Sequence, residues 1–265
     1  MKHIRTIIDK EWSEVFKNRM VIMTMSLLPL LFTALPLVML SMTSGNSAIA
    51  GAPADNSGLP PGFLGACGGM NADDCMQVYL MNQFMLLFMM MPLIIPTTIA
   101  AYSIVGEKTN RSLEPLLATP ISTVELLAGK CIAAVIPGML TTYIAFGIFI
   151  TGTFFIDISP VVRAYLLGPT WIVGIVFLGP ILAVIASIFA IFISSRVSDP
   201  RVAEQLSSLV ILPLMLVFGG VLIGKLVINL WFMIIAILIT LVAAVILLYF
   251  GTVVFDRENI LTKWK

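Results

Sequence analysis

Charge is absent from six long stretches of this chain, and that feature restricts the fold more than any other. The uncharged windows run 20–54, 75–106, 131–156, 164–195, 205–224 and 226–255. Since an α-helix rises about 1.5 Å per residue, about 20 residues cross a bilayer, and every window is long enough. A charge held at mid-bilayer costs about 2.5–3.5 kcal/mol even on the lenient insertion scale, so segregation this complete reads as selection for spanning helices. Composition agrees: 59% of the 265 residues are apolar and 11% charged, against about 25% charged in an average soluble domain. The expected fold is an all-α integral membrane protein with six transmembrane helices, forming a single transmembrane domain over residues 1–265.

Orientation follows from Lys and Arg. With six spans both termini share a side, and that side collects thirteen of the fifteen basic residues, leaving only Arg163 and Lys225 opposite. The positive-inside rule then puts both termini in the cytoplasm of a multi-pass protein of the cell (plasma) membrane. Ala48-Ile49-Ala50 looks like a signal-peptide cleavage site. The preceding run from Met20 to Met42 is too long for a signal core, however, and its leader carries Asp9, Glu11 and Glu14. The run is kept as the first span.

Residues 1–19 place Ile4, Ile7, Ile8, Trp12, Val15 and Phe16 at helical spacing, with Lys2, Arg5, Asp9, Lys10, Ser13, Glu14 and Lys17 on the other side. This predicts an amphipathic helix in the cytoplasmic interface, serving as a membrane anchor or touching a partner protein. The external loop 41–78 holds seven Gly and three Pro and is expected to be irregular. Cys67 and Cys75 share it on the oxidising side and are expected to pair, while Cys131 stays a free thiol. Pro29, Pro36, Pro92, Pro96, Pro137, Pro169, Pro180 and Pro213 lie inside the spans, where neighbouring groups can satisfy the freed carbonyls. Met81, Met85 and Met89 form a stripe without Cys or His, which reads as packing rather than a soft-metal path. Gly220 and Gly224 make a GxxxG that permits close helix approach.

The segment 106–130 is no ordinary connector. Leu113, Leu116 and Leu117 follow a helical stripe, Pro120 stops that piece, and Ser122 with Glu125 forms a capping box opening the third span. A short helix with an apolar face and charged neighbours can lie on lipid or dock into a groove of another protein. In the second cytoplasmic loop, 195–206, Asp199 is a good N-cap with Pro200 at the first helical position.

These two loops resemble those of the ABC-2 type transporter permeases, the membrane subunits of ABC exporters. The matching elements are Glu107-Lys108, Ser112-Leu113-Glu114, Leu116-Leu117, Pro120, Glu125-Leu126 and Gly129-Lys130, together with the loop around Asp199. The resemblance implies a coupling helix between spans two and three that sits in a cleft of a cytoplasmic ABC ATPase subunit. By the same resemblance Glu107, Arg111, Leu113, Glu114, Leu116, Leu117, Glu125, Asp199 and Arg201 are the ATPase-coupling residues. It further implies a dimer of permeases, homo- or heteromeric, that exports its substrate by alternating access, with ATP and Mg bound in the partner subunit. The short stretch around Lys225 departs from any pattern with a large external lid there.

The chain itself has no GxxxxGK[ST], so ATP is expected to be bound elsewhere. An intramembrane enzyme would need a nucleophile with its base or a metal site, and the one His is His3, with neither GxSxG nor HExxH. A secondary transporter or channel without an ATPase partner is the alternative. Ion-coupled carriers usually hold ionisable groups inside the membrane, and the six windows hold none. No catalytic residue, cofactor or metal site is expected in the chain, and its partners are protein and membrane lipid rather than nucleic acid. Asn82, Gln83, Thr97, Thr98, Thr141 and Thr142 are candidates to line a pathway or to hydrogen-bond between helices.

Overall fold

Hydrocarbon offers no hydrogen bonds to a peptide group, so each uncharged window has to satisfy its own backbone, and among the described residues each does so chiefly as helix. The computed structural model describes residues 2–17, 19–45, 70–109, 123–197 and 199–254. Among the described residues the chain is all-helical, with six helical segments long and apolar enough to cross a membrane. In order these are α1 (Lys2–Val15), α2 (Arg19–Gly45), α3 (Ala72–Thr109), α4 (Thr123–Gly152), α5 (Pro160–Leu166) and α6 (Pro169–Val173). They continue with α7 (Gly179–Arg196), α8 (Pro200–Ser207), α9 (Leu212–Leu222) and α10 (Leu230–Val254). The fourth span is composite, α5, α6 and α7 in sequence, and the fifth is α8 with α9.

The prolines fall into two groups. Pro29, Pro36, Pro92, Pro96 and Pro137 lie within continuous helices, whereas three others mark real breaks. Pro169 restarts the fourth span after the turn at Gly168. Upstream of Pro180 a π-helical stretch, Gly174–Leu178, carries the ladder by Gly179 N–H bonding to Gly174 C=O. A 3₁₀ turn, Ser208–Ile211, precedes Pro213. In each case the missing N–H is absorbed by a locally tighter or wider turn.

α3 is the axis of the bundle and packs against α2, α4, α7 and α8. Met81, Met85, Phe88, Met89, Met91, Ile95 and Ile99 are fully buried along it. The methionine stripe is therefore core: the methyl ends of Met85, Met89 and Met233 converge on Gly174, where a Cβ would lie 2.6 Å from Met85 Cε. Likewise Gly138 lets α4 close on α3, since a Cβ there would meet Pro96 Cγ at 2.6 Å. By contrast Leu30, Leu31 and Leu35 of α2, Leu216 of α9, and Leu238, Ile239 and Val242 of α10 are exposed apolar side chains on the periphery. Lipid can solvate them at no cost.

The expected GxxxG is corrected by the structure. The α9 helix ends at Leu222 and Gly224 adopts φ 77°. Lys225 N–H bonds Gly220 C=O and Gly224 N–H bonds Val221 C=O, the Schellman arrangement that closes a helix. Gly224 supplies the left-handed residue, and Gly220 makes room for Leu226, whose Cδ1 would lie 2.6 Å from a Cβ. The two glycines make the tight turn between spans five and six, not a helix contact.

Candidate functional site at the α1, α3 and α4 junction

The helices entering and leaving segment 110–122 end at Thr109 and begin at Thr123. A buried charge cluster lies close to both. Lys130 of α4 points its ammonium at Glu11 Oε1 of α1 (2.6 Å), Ser103 Oγ of α3 (2.6 Å) and Glu107 Oε2 of α3 (2.9 Å). Of its three donors, two are hydrogen-bonded to Glu11 and Ser103, and Glu107 Oε2 adds an ion pair. Glu107 is shared: its other oxygen, Oε1, accepts from Lys10 Nζ at 2.6 Å. The Lys130, Glu11 and Glu107 side chains are no more than 2% exposed, whereas that of Lys10 is 38% exposed.

Position explains the charges. Glu107 sits in the last turn of α3, where a helix dipole disfavours an anion, and two lysines offset that. Burial by itself would lower the Lys10 pKa. The hydrogen bond and charge of Glu107, with Glu14 and Glu11 beyond, hold it above the ordinary 10.5 instead. A lysine with a raised pKa stabilises fully below its unfolded value and loses that contribution only as pH rises through the folded one. The lysine's side of the link therefore holds across neutral pH and is lost as pH rises through that raised value.

Two further contacts seat α1. Ile7 fits over Gly129, where a Cβ would lie 3.0 Å from Ile7 Cγ2. Trp12 Nε1 donates to the Ala133 carbonyl at 3.1 Å. Pro137 is four residues on and has no N–H to give that carbonyl, so the indole of α1 takes the vacated place. Part of the apolar face of α1 that the sequence marked thus packs on protein: Ile7 and Val15 are buried, Ile4, Ile8 and Trp12 are half-buried, and Phe16 is exposed.

The sequence-derived site residues fall into separate places. Of the first loop, Glu107 is in this cluster and Glu125 is half-buried in the first turn of α4, where an acid suits the dipole. Arg111, Leu113, Glu114, Leu116 and Leu117, with the cap Ser122, lie outside the described residues. Asp199 caps α8 as read, its Oδ1 accepting from Arg201 N–H at 2.8 Å; both Asp199 and Arg201 are exposed. α8 is tied to α3 by Thr98 Oγ1 donating to Glu204 Oε1 at 3.1 Å.

Thr97, Thr141 and Thr142 each donate to the carbonyl four residues back in their own helix. Asn82 Oδ1 accepts from the Tyr165 hydroxyl at 2.6 Å, and Gln83 is buried beside it in sequence. Cys75 is buried and disulfide-bonded; Cys131 is a free thiol, 3.0 Å from Ser187 Oγ. Cys67 lies outside the described residues.

Sequence reading missed Glu11, Lys10 and Ser103 as members of a site. The signal was present for one of them. Glu11 is four residues from both Ile7 and Val15, so helical spacing puts it on the apolar face, where an acid requires a buried partner.

Residues 5–235 match the family described as ABC-2 family transporter protein. The chain belongs to that family. No curated protein and no solved structure matches it. It is thus the membrane component of an ABC transporter, a multi-pass protein whose domain is not itself catalytic, and the family implies a partner ATPase. An intramembrane enzyme and a carrier or channel working alone are thereby set aside.

Removing one member of a buried ion cluster leaves its partner uncompensated, which typically costs about 3–5 kcal/mol, whereas apolar replacement of the whole set is often neutral. Glu11→Gln should therefore lower the melting temperature of the detergent-solubilised permease clearly. The triple variant Glu11→Met, Glu107→Met, Lys130→Met should recover most of the loss. Thermal unfolding followed by light scattering or intrinsic fluorescence checks both; equal stability of Glu11→Gln and the parent chain would mean that the cluster is solvated.

Proposed function

We propose that this chain is the permease half of an ATP-driven exporter in the cell membrane, working as a dimer with two cytoplasmic ABC ATPase subunits. ATP binding closes the ATPases, the segment between α3 and α4 receives that motion, and the spans shift between inward- and outward-open arrangements. The observation that supports this reading is where the segment is rooted. It leaves directly from α3, the most buried helix, against which α2, α4, α7 and α8 all pack. A displacement applied there reaches most of the bundle at once, because close-packed interiors transmit strain rather than absorb it.

The leucines and charges of 107–130 supply the docking element. Leu113→Asp would bury an unpaired carboxylate in an ATPase groove, and Glu114→Lys would place a like charge where a pair is expected. Both variants should insert normally, yet copurify with the ATPase poorly or hydrolyse ATP at no more than about a tenth of the parental rate, a barrier change of about 1.4 kcal/mol. If association and hydrolysis are unchanged in both at equal expression, the segment is a lipid-surface loop.

Orientation is the second part of the reading, and rests on thirteen basic residues against two. In intact cells Phe155→Cys, at a position 90% exposed between α4 and α5, should react with an impermeant thiol reagent. Ser13→Cys, on the exposed side of α1, should react only after the cells are opened. Reversed labelling would invert the proposed direction of coupling.

A further inference from the structure

We infer that α1 is a moving part of the coupling device, clamped by Lys130 to both helices that flank segment 110–122, and that Lys130 is the positioning residue that makes the three travel as one body. The inference rests on the proposed coupling role of that segment, and adds a component the segment does not contain.

Three observations carry it. First, Lys130 joins three helices at a single atom: its Nζ meets Glu11 of α1 and both Ser103 and Glu107 of α3, from its own place on α4. Glu107 then returns to α1 through Lys10, so α1 is tied to α3 directly as well as through α4. Second, the Lys130, Glu11 and Glu107 side chains are almost fully buried. Charges this deeply buried cannot exchange a partner for water, so the arrangement holds as a set or fails as a set.

Third, the seat of α1 on α4 extends to either side of the charges. Ile7 lies over Gly129 and the Trp12 indole takes the carbonyl of Ala133. That carbonyl is free because of Pro137, the residue at which α4 is most easily bent. A helix held only by lipid would need none of these contacts. One that must follow α3 and α4 through a stroke needs all of them, because α1 reaches across the ends of both.

The same contacts go beyond a simpler role. An interfacial anchor keeps its apolar face for lipid, but here Ile7 and Val15 are buried in protein and Glu11 stands between them at 2% exposure. The Lys130 ammonium is engaged by Glu11, Ser103 and Glu107, so the role assigned to it is in how motion is passed on.

The test uses the permease isolated with the ATPase that copurifies with it, in a Cys131→Ser background. Nitroxide labels go on Ser13→Cys of α1 and Val124→Cys of α4, both exposed positions. Their distance distribution is measured by pulsed electron resonance, without nucleotide and with ATP plus vanadate. In the parent the distribution should be narrow and unmoved by nucleotide, since both labels ride on one body. In Lys130→Gln it should broaden, with ATPase copurification retained and ATP turnover reduced at least about threefold. Lys130→Arg, which keeps charge and donors, should restore part of both.

If Lys130→Gln does not accumulate, Trp12→Phe carries the test, because it removes one hydrogen bond and leaves every charge in place; it should broaden the distribution more weakly. A parental distance that shifts with nucleotide would overturn the inference, and so would variants with a narrow distance and full turnover. Failure of the coupling reading itself shows differently, as Leu113→Asp behaving like the parent chain.

Discussion

A buried lysine that joins three helices sets the architecture of one end of this protein. An ammonium taken out of water is stable only where acceptors and opposite charge are adjacent, so Lys130 constrains the positions of Glu11, Ser103 and Glu107 together. These residues belong to helices that begin at Lys2, Ala72 and Thr123. Long-range order at that end is thereby specified by one polar knot rather than by apolar packing, which in lipid discriminates weakly between neighbours. Buried ion clusters add little net stability, and their value here lies in the single arrangement they permit.

Backbone accounting explains much of the rest. At three prolines of these spans the disturbed backbone is accommodated locally: by the Trp12 indole at Ala133, by a π turn before Pro180, by a 3₁₀ turn before Pro213. Glycine works in the opposite direction, removing bulk where helices or side chains must meet. Gly129 under Ile7, Gly138 against Pro96 and Gly174 among three methionines each admit a contact that a methyl group would crowd. Family membership over residues 5–235 and the axial position of α3 then give this scaffold its transporter context.

The spans were legible because charge is expensive in hydrocarbon, and that cost acts locally, residue by residue. Each charge-free window is helix over most of its described length, and the Asp199-Pro200 start of α8 reads directly from cap chemistry. Contacts between distant residues were not legible. Glu107 and Lys130 looked like members of one cytoplasmic loop, and nothing in their spacing shows that both turn inward to α1. Glu11 could have been suspected from its place between Ile7 and Val15, but its partner lies 119 residues away. Gly220 and Gly224 misled for a related reason: the pattern that allows helix approach also closes a helix when the second glycine takes a positive φ.

The central claim, that α1 belongs to the protein core rather than to the lipid surface, can be read from amide hydrogen exchange in lipid nanodiscs. Peptides covering residues 5–15 should exchange as slowly as those covering 124–134, and both should speed up together when Lys130 is replaced by Gln. A contrary result would be rapid exchange in 5–15 that is indifferent to Lys130, with 124–134 still protected; α1 would then be a surface helix whose buried charges do not hold it.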